Sequence, residues 1–221
     1  MDNILETAWE VTERFRAGGA RGCAVERVAL SDVDLGAPVL DQVRLGQCTL
    51  QGVGLSEATF FEVHATGCVL RNARLDRSWM RQTNFVSCQA LELRLTGALL
   101  EKVGFYQTPL SNARFTRARM NDVTFQSSDL YGASFAGALL TRCTFSDPNM
   151  GSAGLNRVDL SGAMIVESDL SDAILYGADL SGATFIGTDL RGTVLDGAKL
   201  DGARFLGCNL NQRLGGAAIV V

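Results

Sequence analysis

The sequence predicts an all-β chain wound into a square solenoid of about nine coils, with a short helical lid at its N-terminus. Three observations carry the prediction. Every fifth residue from Val25 to Leu210 is Leu, Phe, Met, Ile, Val or Ala. The position two residues earlier is small or apolar and never charged. Six of the phenylalanines, Phe85, Phe105, Phe125, Phe145, Phe185 and Phe205, are separated by multiples of twenty. A period of five belongs neither to a helix, about 3.6, nor to a strand, 2. Two inward residues flanking one outward residue make a short extended segment, and an odd period forces a turn after each segment. Glycines such as Gly177, Gly182, Gly187 and Gly192 stand where those corners fall, and glycine tolerates the positive φ that corners demand.

Taken in chain order, residues 1–20 come first. Ile4, Ala8, Val11 and Phe15 lie on one face of a helix over residues 3–16, with Leu5 and Trp9 along its edge. Asn3 and Glu6 have capping-box spacing, and Gly18-Gly19 is a stop. Such a helix either covers the first coil, since open solenoid ends need a cap, or binds a partner. Residues 21–210 are the solenoid. Four quintets per coil bring like residues into columns about 4.8 Å apart along an axis of roughly 45 Å. Cys48, Cys68, Cys88 and Cys208 also differ by multiples of twenty, and all six cysteines occupy the small inward position as core filler. Residues 211–221 leave the register. With Phe205, Leu206 and Leu210, the tail residues Leu214, Ile219, Val220 and Val221 form an apolar end. Either two such ends pair into a two-fold rod or the tail frays or folds back as a cap.

Few residues suggest chemistry. The single His64 is outward and has no carboxylate or thiol at ligand spacing, so no metal or cofactor is expected. No phosphate loop, nucleophile elbow or dinucleotide fingerprint occurs, and the chain is expected not to be an enzyme. No stretch is apolar for long enough to span a bilayer. Asp2, Glu6, Glu10 and Glu13 are unlike a secretory leader, so a cytoplasmic location is expected.

Charge divides the outer wall. Residues 1–65 hold ten acids and five bases, residues 66–120 three acids and nine bases, and residues 121–210 eleven acids and five bases. Arg74, Arg94 and Arg114 are twenty apart and form a ladder, with Arg77 and Arg117 at the adjoining corner. Asp129, Asp169 and Asp189 share one expected column and Asp159 and Asp179 another; with Asp196 they form a candidate acidic face. These carboxylates have two readings. They imitate the charge density of duplex DNA, or they hydrogen-bond the solenoid's own turns and keep it soluble. Val166, Ile186 and Leu206 form an exposed aliphatic column, suited to a lateral contact or simply to packing on a β surface.

The blocks Ala178-Asp179-Leu180-Ser181-Gly182 and Thr188-Asp189-Leu190-Arg191-Gly192 resemble the pentapeptide-repeat family, whose motif reads A-(D/N)-L-x-x, and the likeness extends over residues 21–210. The resemblance implies a right-handed quadrilateral β-helix. Some members, of the Qnr type, the mycobacterial fluoroquinolone-resistance type and the self-immunity type of topoisomerase-poison producers, mimic DNA and bind DNA gyrase or topoisomerase IV. For this chain that implies such a partner, drug resistance or self-immunity, and a homodimer joined through the C-terminal ends. Two features depart from that pattern: no loop visibly interrupts the register, and the middle is basic. A scaffold with another protein partner, or nucleic-acid binding through the arginine ladder, are the competing readings, direct nucleic-acid binding being the less expected.

Overall fold

The computed structural model describes residues 3–146, 157–168, 170–171 and 173–209. The chain climbs in a four-sided coil whose sides are segments of about three residues. Face 1 is a ten-stranded parallel sheet that begins with Gly19–Arg21 and ends with Arg204–Leu206. Face 2 is an eight-stranded sheet from Asn3–Leu5 to Thr144–Ser146. Face 3 opens with Ala29–Ser31 against Thr49–Gln51 and continues through single bridges. Face 4 consists of single bridges from Asp34 through Arg94 to Lys199. Ten strands on face 1 make one coil more than the sequence suggested.

Each coil is bonded to its neighbours on both sides. Leu55 N–H donates to Arg74 O at 2.8 Å, and Arg74 N–H donates to Val53 O at 2.9 Å. This answers the backbone's need for partners without any edge inside the rod. Fifth-position residues point inward; Leu40, Leu95, Leu110, Phe105 and Phe135 are fully buried. The corner residue after each segment takes positive φ, whether it is glycine (Gly177, φ 65°) or not (Arg117, φ 57°).

Small inward residues do more than leave room. Thr108 Oγ1 donates to Phe85 O or Tyr106 O, at 3.2 and 3.0 Å, and accepts from Cys88 N–H at 3.2 Å. The thiols of Cys48, Cys68 and Cys88 stand in the same column and donate to the equivalent carbonyls. Cysteine, serine and threonine are therefore interchangeable here because each brings one short donor to a buried carbonyl.

The N-terminus departs from expectation. The helix spans Ala8–Arg16, not residues 3–16. Its cap is Thr7, whose Oγ1 accepts from Glu10 N–H at 3.2 Å while the Glu10 carboxylate accepts from Thr7 N–H at 3.1 Å. Asn3–Leu5 instead adds a parallel strand beside Cys23–Val25. An open sheet edge offers those three residues more hydrogen bonds than a first helical turn would. Val11 and Phe15 do enter the core, whereas Ile4 and Trp9 are exposed. Gly19 is fixed by geometry: at φ 132°, a Cβ there would lie 1.9 Å from the Val39 carbonyl oxygen.

A second departure rotates the later coils. Up to Thr144 partners are twenty residues apart, but Leu140 pairs with Ile165, Ser134 bridges Asp159, and Cys143 N–H donates to Ser168 Oγ, all separated by twenty-five. One extra quintet has entered between Ser146 and Arg157. Phe85, Phe105, Phe125 and Phe145 therefore stack on face 2, with centroids 4.9–5.2 Å apart, whereas Phe185 and Phe205 stack on face 1 at 4.8 Å. The six do not share one face. Cys208 likewise leaves the Cys48–Cys68–Cys88 column and follows Ser168 and Thr188, above Cys143.

Candidate functional site

The four walls of the rod differ in chemistry, and the extra quintet decides which charges meet. Face 4 carries Arg74, Arg94 and Arg114 as bridged neighbours, as the sequence predicted. The same column then continues through Ser134 to Asp159, Asp179 and Lys199. Asp159 and Asp179 thus stand beside each other and in line with the arginines, not in a column of their own. One wall reads basic, then acidic, along the axis.

Counter-charges partly quench the basic stretch. Arg94 pairs with Asp76 at 2.9 Å, and Arg77, at the corner, pairs with Glu57 at 2.6 Å. Arg114 is exposed and lines a shallow hollow with Asn72, Glu92, Arg94 and Asn112. Arg117 is exposed at the next corner along.

The predicted acidic face is not one face. Asp129 and Asp196 lie on face 3 and Asp189 on face 2, while Asp169 lies outside the described residues. Asp129 and Asp189 therefore do not share a column: the register shift of twenty-five moved them apart. Four of these carboxylates perform one local task. Asp129, Asp159, Asp179 and Asp189 accept the N–H two residues on, from Tyr131, Ser161, Ser181 and Arg191, at 2.9–3.1 Å. That bond closes the corner, in the manner of an Asx turn. Two of them are also ion-paired, Asp179 with Lys199 at 3.1 Å and Asp189 with Arg191 at 2.6 Å. The hydrogen bond from Ser181 first, and Lys199 after it, hold the Asp179 carboxyl below the usual aspartate range; Arg191 does the same for Asp189. Asp196 has a different place, exposed after the inward Leu195 and outside the turn-closing position. Asp201 has the same place on face 4 and is exposed too.

Face 1 shows what the sequence reading largely missed. Val166, Ile186 and Leu206 are in register as expected. Beside them, the outward residues Val39, Trp79, Leu99, Leu139 and Met164 fall in one column of the same sheet. Val39, Trp79, Leu99 and Met164 are each 45–50% exposed. Val39, Trp79, Leu99 and Leu139 already differ by multiples of twenty, and the extra quintet concealed only that Met164 follows Leu139.

His64 is outward and touches Asn84 across the coil step at 3.4 Å. Among the described residues no group of three or more His, Cys, Asp or Glu is placed to hold a metal ion. No helix among them is long and apolar enough to cross a membrane. Of the apolar end, Phe205 is buried in the last coil and Leu206 is half-buried. Leu210, Leu214, Ile219, Val220 and Val221 lie outside the described residues.

Comparison with known proteins agrees with this architecture. A family model described as a pentapeptide repeat region matches residues 58–135, and one for eight copies of the pentapeptide repeat matches 153–192 and 173–212. No curated protein matches the chain in sequence. Among solved structures, a trypsin-treated variant of QnrB1, a plasmid-mediated fluoroquinolone resistance protein, superposes with a TM-score of 0.50 at 15% identity, over 85% of this chain and 91% of that one. HetL, a pentapeptide repeat protein involved in heterocyst differentiation regulation from the cyanobacterium Nostoc, matches at 25% identity over 89% and 96% of the two chains, with a TM-score of 0.33. The quintet motif, the four-sided coil and the matched family models together establish that the chain belongs to the pentapeptide-repeat family.

Proposed function

We propose that the chain is a non-enzymatic protein ligand of DNA gyrase or a related type II topoisomerase, acting as a rod-shaped DNA mimic in the manner of quinolone-resistance or self-immunity proteins. The observation that carries this reading is the acidic later half: eleven acids and five bases in residues 121–210. Asn121 to Leu206 on face 1 is four coil steps, about 19 Å at ~4.8 Å per step. Eleven carboxylates over that length give about one per 1.7 Å, and the net of six negative charges about one per 3.2 Å, against the ~1.7 Å per charge of the duplex. Among the described residues the acids are spread over all four sides, so the field is that of a charged rod and not of a patch. Such a rod offers the enzyme's basic DNA-binding surface an alternative to DNA. The shared fold with QnrB1, a fluoroquinolone resistance protein, supports the same choice of target. In this reading the protein works in the cytoplasm, as a homodimer joined at its C-terminal ends.

The test is a gyrase supercoiling and binding assay with purified full-length protein, repeated as salt is raised. The expected result is salt-sensitive inhibition of supercoiling, weakened by Asp196→Lys with Asp201→Lys and accompanied by no affinity for DNA. Those two exposed acids lie outside the turn-closing position, so their reversal leaves the solenoid intact. A direct DNA shift abolished by Arg94→Glu would move the function to the basic stretch of face 4. Absence of both activities would leave an interaction scaffold with another partner.

A further inference from the structure

Face 4 changes sign along its length, and run backwards it is complementary to itself. Its leading outward column reads Arg74, Arg94, Arg114, Ser134, Asp159 and Asp179, each bridged to the next. Three cations are followed by a serine and two anions. From this column we infer that two copies of the chain associate side by side and antiparallel through face 4, basic stretch against acidic stretch. The inference rests on the charges of the wall and not on the choice of gyrase as target.

A two-fold axis in the plane of contact, perpendicular to the rods, lays each column against its own copy run backwards. With that axis between Arg114 and Ser134, Arg94 faces Asp159 and Arg74 faces Asp179, and each pair occurs twice. The corner column before it holds Asn72, Glu92, Asn112, Gly132, Arg157 and Gly177, all at positive φ and in the same coil order. The same axis sets Glu92 against Arg157, both exposed, again twice. In the outward column that follows, Asp76 faces Ser181 and Thr96 faces Ser161. At the far corner Arg77 and Arg117 face Gly182 and Gly137. No like charges oppose one another over these six coils. An axis through Ser134 instead would set Arg74 against Lys199 and Asp76 against Asp201. Parallel rods would put the three arginines of one copy level with those of the other. The charges thus select a second copy, its direction and its register together.

The facing groups have capacity left for a partner. Arg74 and Arg114 make no ion pair among the described residues. Arg94 pairs with Asp76 at 2.9 Å, but a guanidinium has five N–H donors. Asp159 accepts from Ser161 N–H and meets Ser134 Oγ at 3.2 Å, and Asp179 accepts from Ser181 N–H and holds Lys199 at 3.1 Å. A carboxylate has about four acceptor sites, so each has room for the arginine opposite. The neighbours of these acids on the wall, Ser161, Gly162, Ser181 and Gly182, are small and leave the approach open. The overlap is five coil steps, about 24 Å, on a wall one short strand wide. That is less than a permanent interface needs, so the association is weak, carried by charge and confined to low ionic strength.

Sedimentation velocity of the full-length chain tests this at low salt and at about 0.5 M, where the Debye length falls below one coil step. It is run with and without Ile219→Asp plus Val221→Asp, which disable an end-joined contact. The expected result is association at low salt in both chains and its loss at high salt. Glu92→Arg makes two facing pairs like-charged and should weaken association at least about tenfold, as should Arg157→Glu. Glu92→Arg combined with Arg157→Glu restores opposite charges and should restore the association. Both side chains are exposed and make no bond among the described residues, so the unfolding midpoint should stay fixed in all three variants. Cross-linking reads the direction. In a Cys208→Ser background, Thr96→Cys mixed with Ser161→Cys should form an intermolecular disulfide under diamide. Neither alone should, since two copies of either residue lie three steps, about 14 Å, apart along the axis. A chain that stays monomeric at tens of micromolar in low salt overturns the proposal. So does a folded double variant that fails to associate, or a dimer indifferent to salt that disappears with Ile219→Asp and Val221→Asp. Gyrase binding is measured separately, and its failure leaves this association untouched.

Discussion

Phe125→Ala removes the centre of the aromatic stack. The ring lies between Phe105, at 5.2 Å and 5° interplanar angle, and Phe145, at 4.9 Å and 12°. Phe115 and Phe135 meet it edge-on from the opposite wall at 5.6 and 5.8 Å. Only 2% of the residue is exposed. Truncating a phenylalanine in such a core costs ~3–5 kcal/mol, and here the upper end applies. Four aromatic neighbours lose favourable ring geometry, and a rod whose coils are hydrogen-bonded on both sides cannot close the cavity without displacing whole coils. Gln126, one residue along, points outward and is exposed, so Gln126→Ala should stay within about 0.5 kcal/mol of wild type. Urea unfolding followed by far-UV circular dichroism and tryptophan fluorescence measures both. The same experiment tests the shifted register through a double-mutant cycle. Phe125→Leu with Phe145→Leu should couple by ~0.5–1.5 kcal/mol, and Phe145→Leu with Phe185→Leu should not couple, because those rings stand on different faces. Equal losses from Phe125→Ala and Gln126→Ala, or coupling between Phe145 and Phe185, would refute the assigned inward and outward sets.

Two further outcomes follow from the same geometry. Five of the six cysteines are buried and Cys208 is half-buried, and burial pushes the Cys143 thiol up to about 11; a native-state thiol titration at pH 8 should therefore register about one fast-reacting group, abolished by Cys208→Ser, and all six after unfolding. The carboxyls of Asp122, Asp179 and Asp189 are held low in the folded state, Asp122 by Arg142, so their contribution is fully present above the unfolded aspartate value, ~3.9, and is lost as pH falls through the lower folded values. Stability should fall with acidification below about pH 4, and Asp189→Asn should flatten that limb; a limb of unchanged steepness would count against the ion pair with Arg191.

The period of five was legible because an inward apolar residue at every fifth place admits one backbone solution, and among the described residues burial follows it from Val25 to Phe205, with Leu195 and Leu200 only partly buried. The columns were legible only as far as Thr144. An inserted block of one full period leaves every inward residue inward, so the pattern of fives continues through it unbroken. It nevertheless turns each later coil by one face. That single block separated Phe185 from Phe145 and Asp189 from Asp129, and it brought Asp159 into line with Arg114. Sequence spacing records which way a side chain faces along one segment but not how many segments fill a coil. The helix start was misread for a different reason. Asn3-x-x-Glu6 and Thr7-x-x-Glu10 both have the capping spacing, and the choice between them depends on the vacant sheet edge beside Cys23–Val25, which lies twenty residues away.

The turn-closing bonds change what an acidic coil signifies. In the motif A-D-L-x-G the aspartate accepts the N–H two residues on, so it is required by the corner whatever the rod binds. Asp129, Asp159, Asp179 and Asp189 would be selected in a scaffold as readily as in a DNA mimic. Counting carboxylates along the axis therefore overstates the part of the charge attributable to a partner. Discriminating acids are those with no turn to close; among the described residues Asp196 and Asp201 are two such, each placed directly after an inward leucine and exposed. Reversal of Asp159 or Asp179 would weaken any function through the fold, since a lysine there leaves a corner N–H without its acceptor. Reversal of Asp196 and Asp201 spares every such bond. A mimic must lose affinity for gyrase with these two changes while its unfolding midpoint stays fixed; retained affinity would mean that the acidic half serves the corners alone.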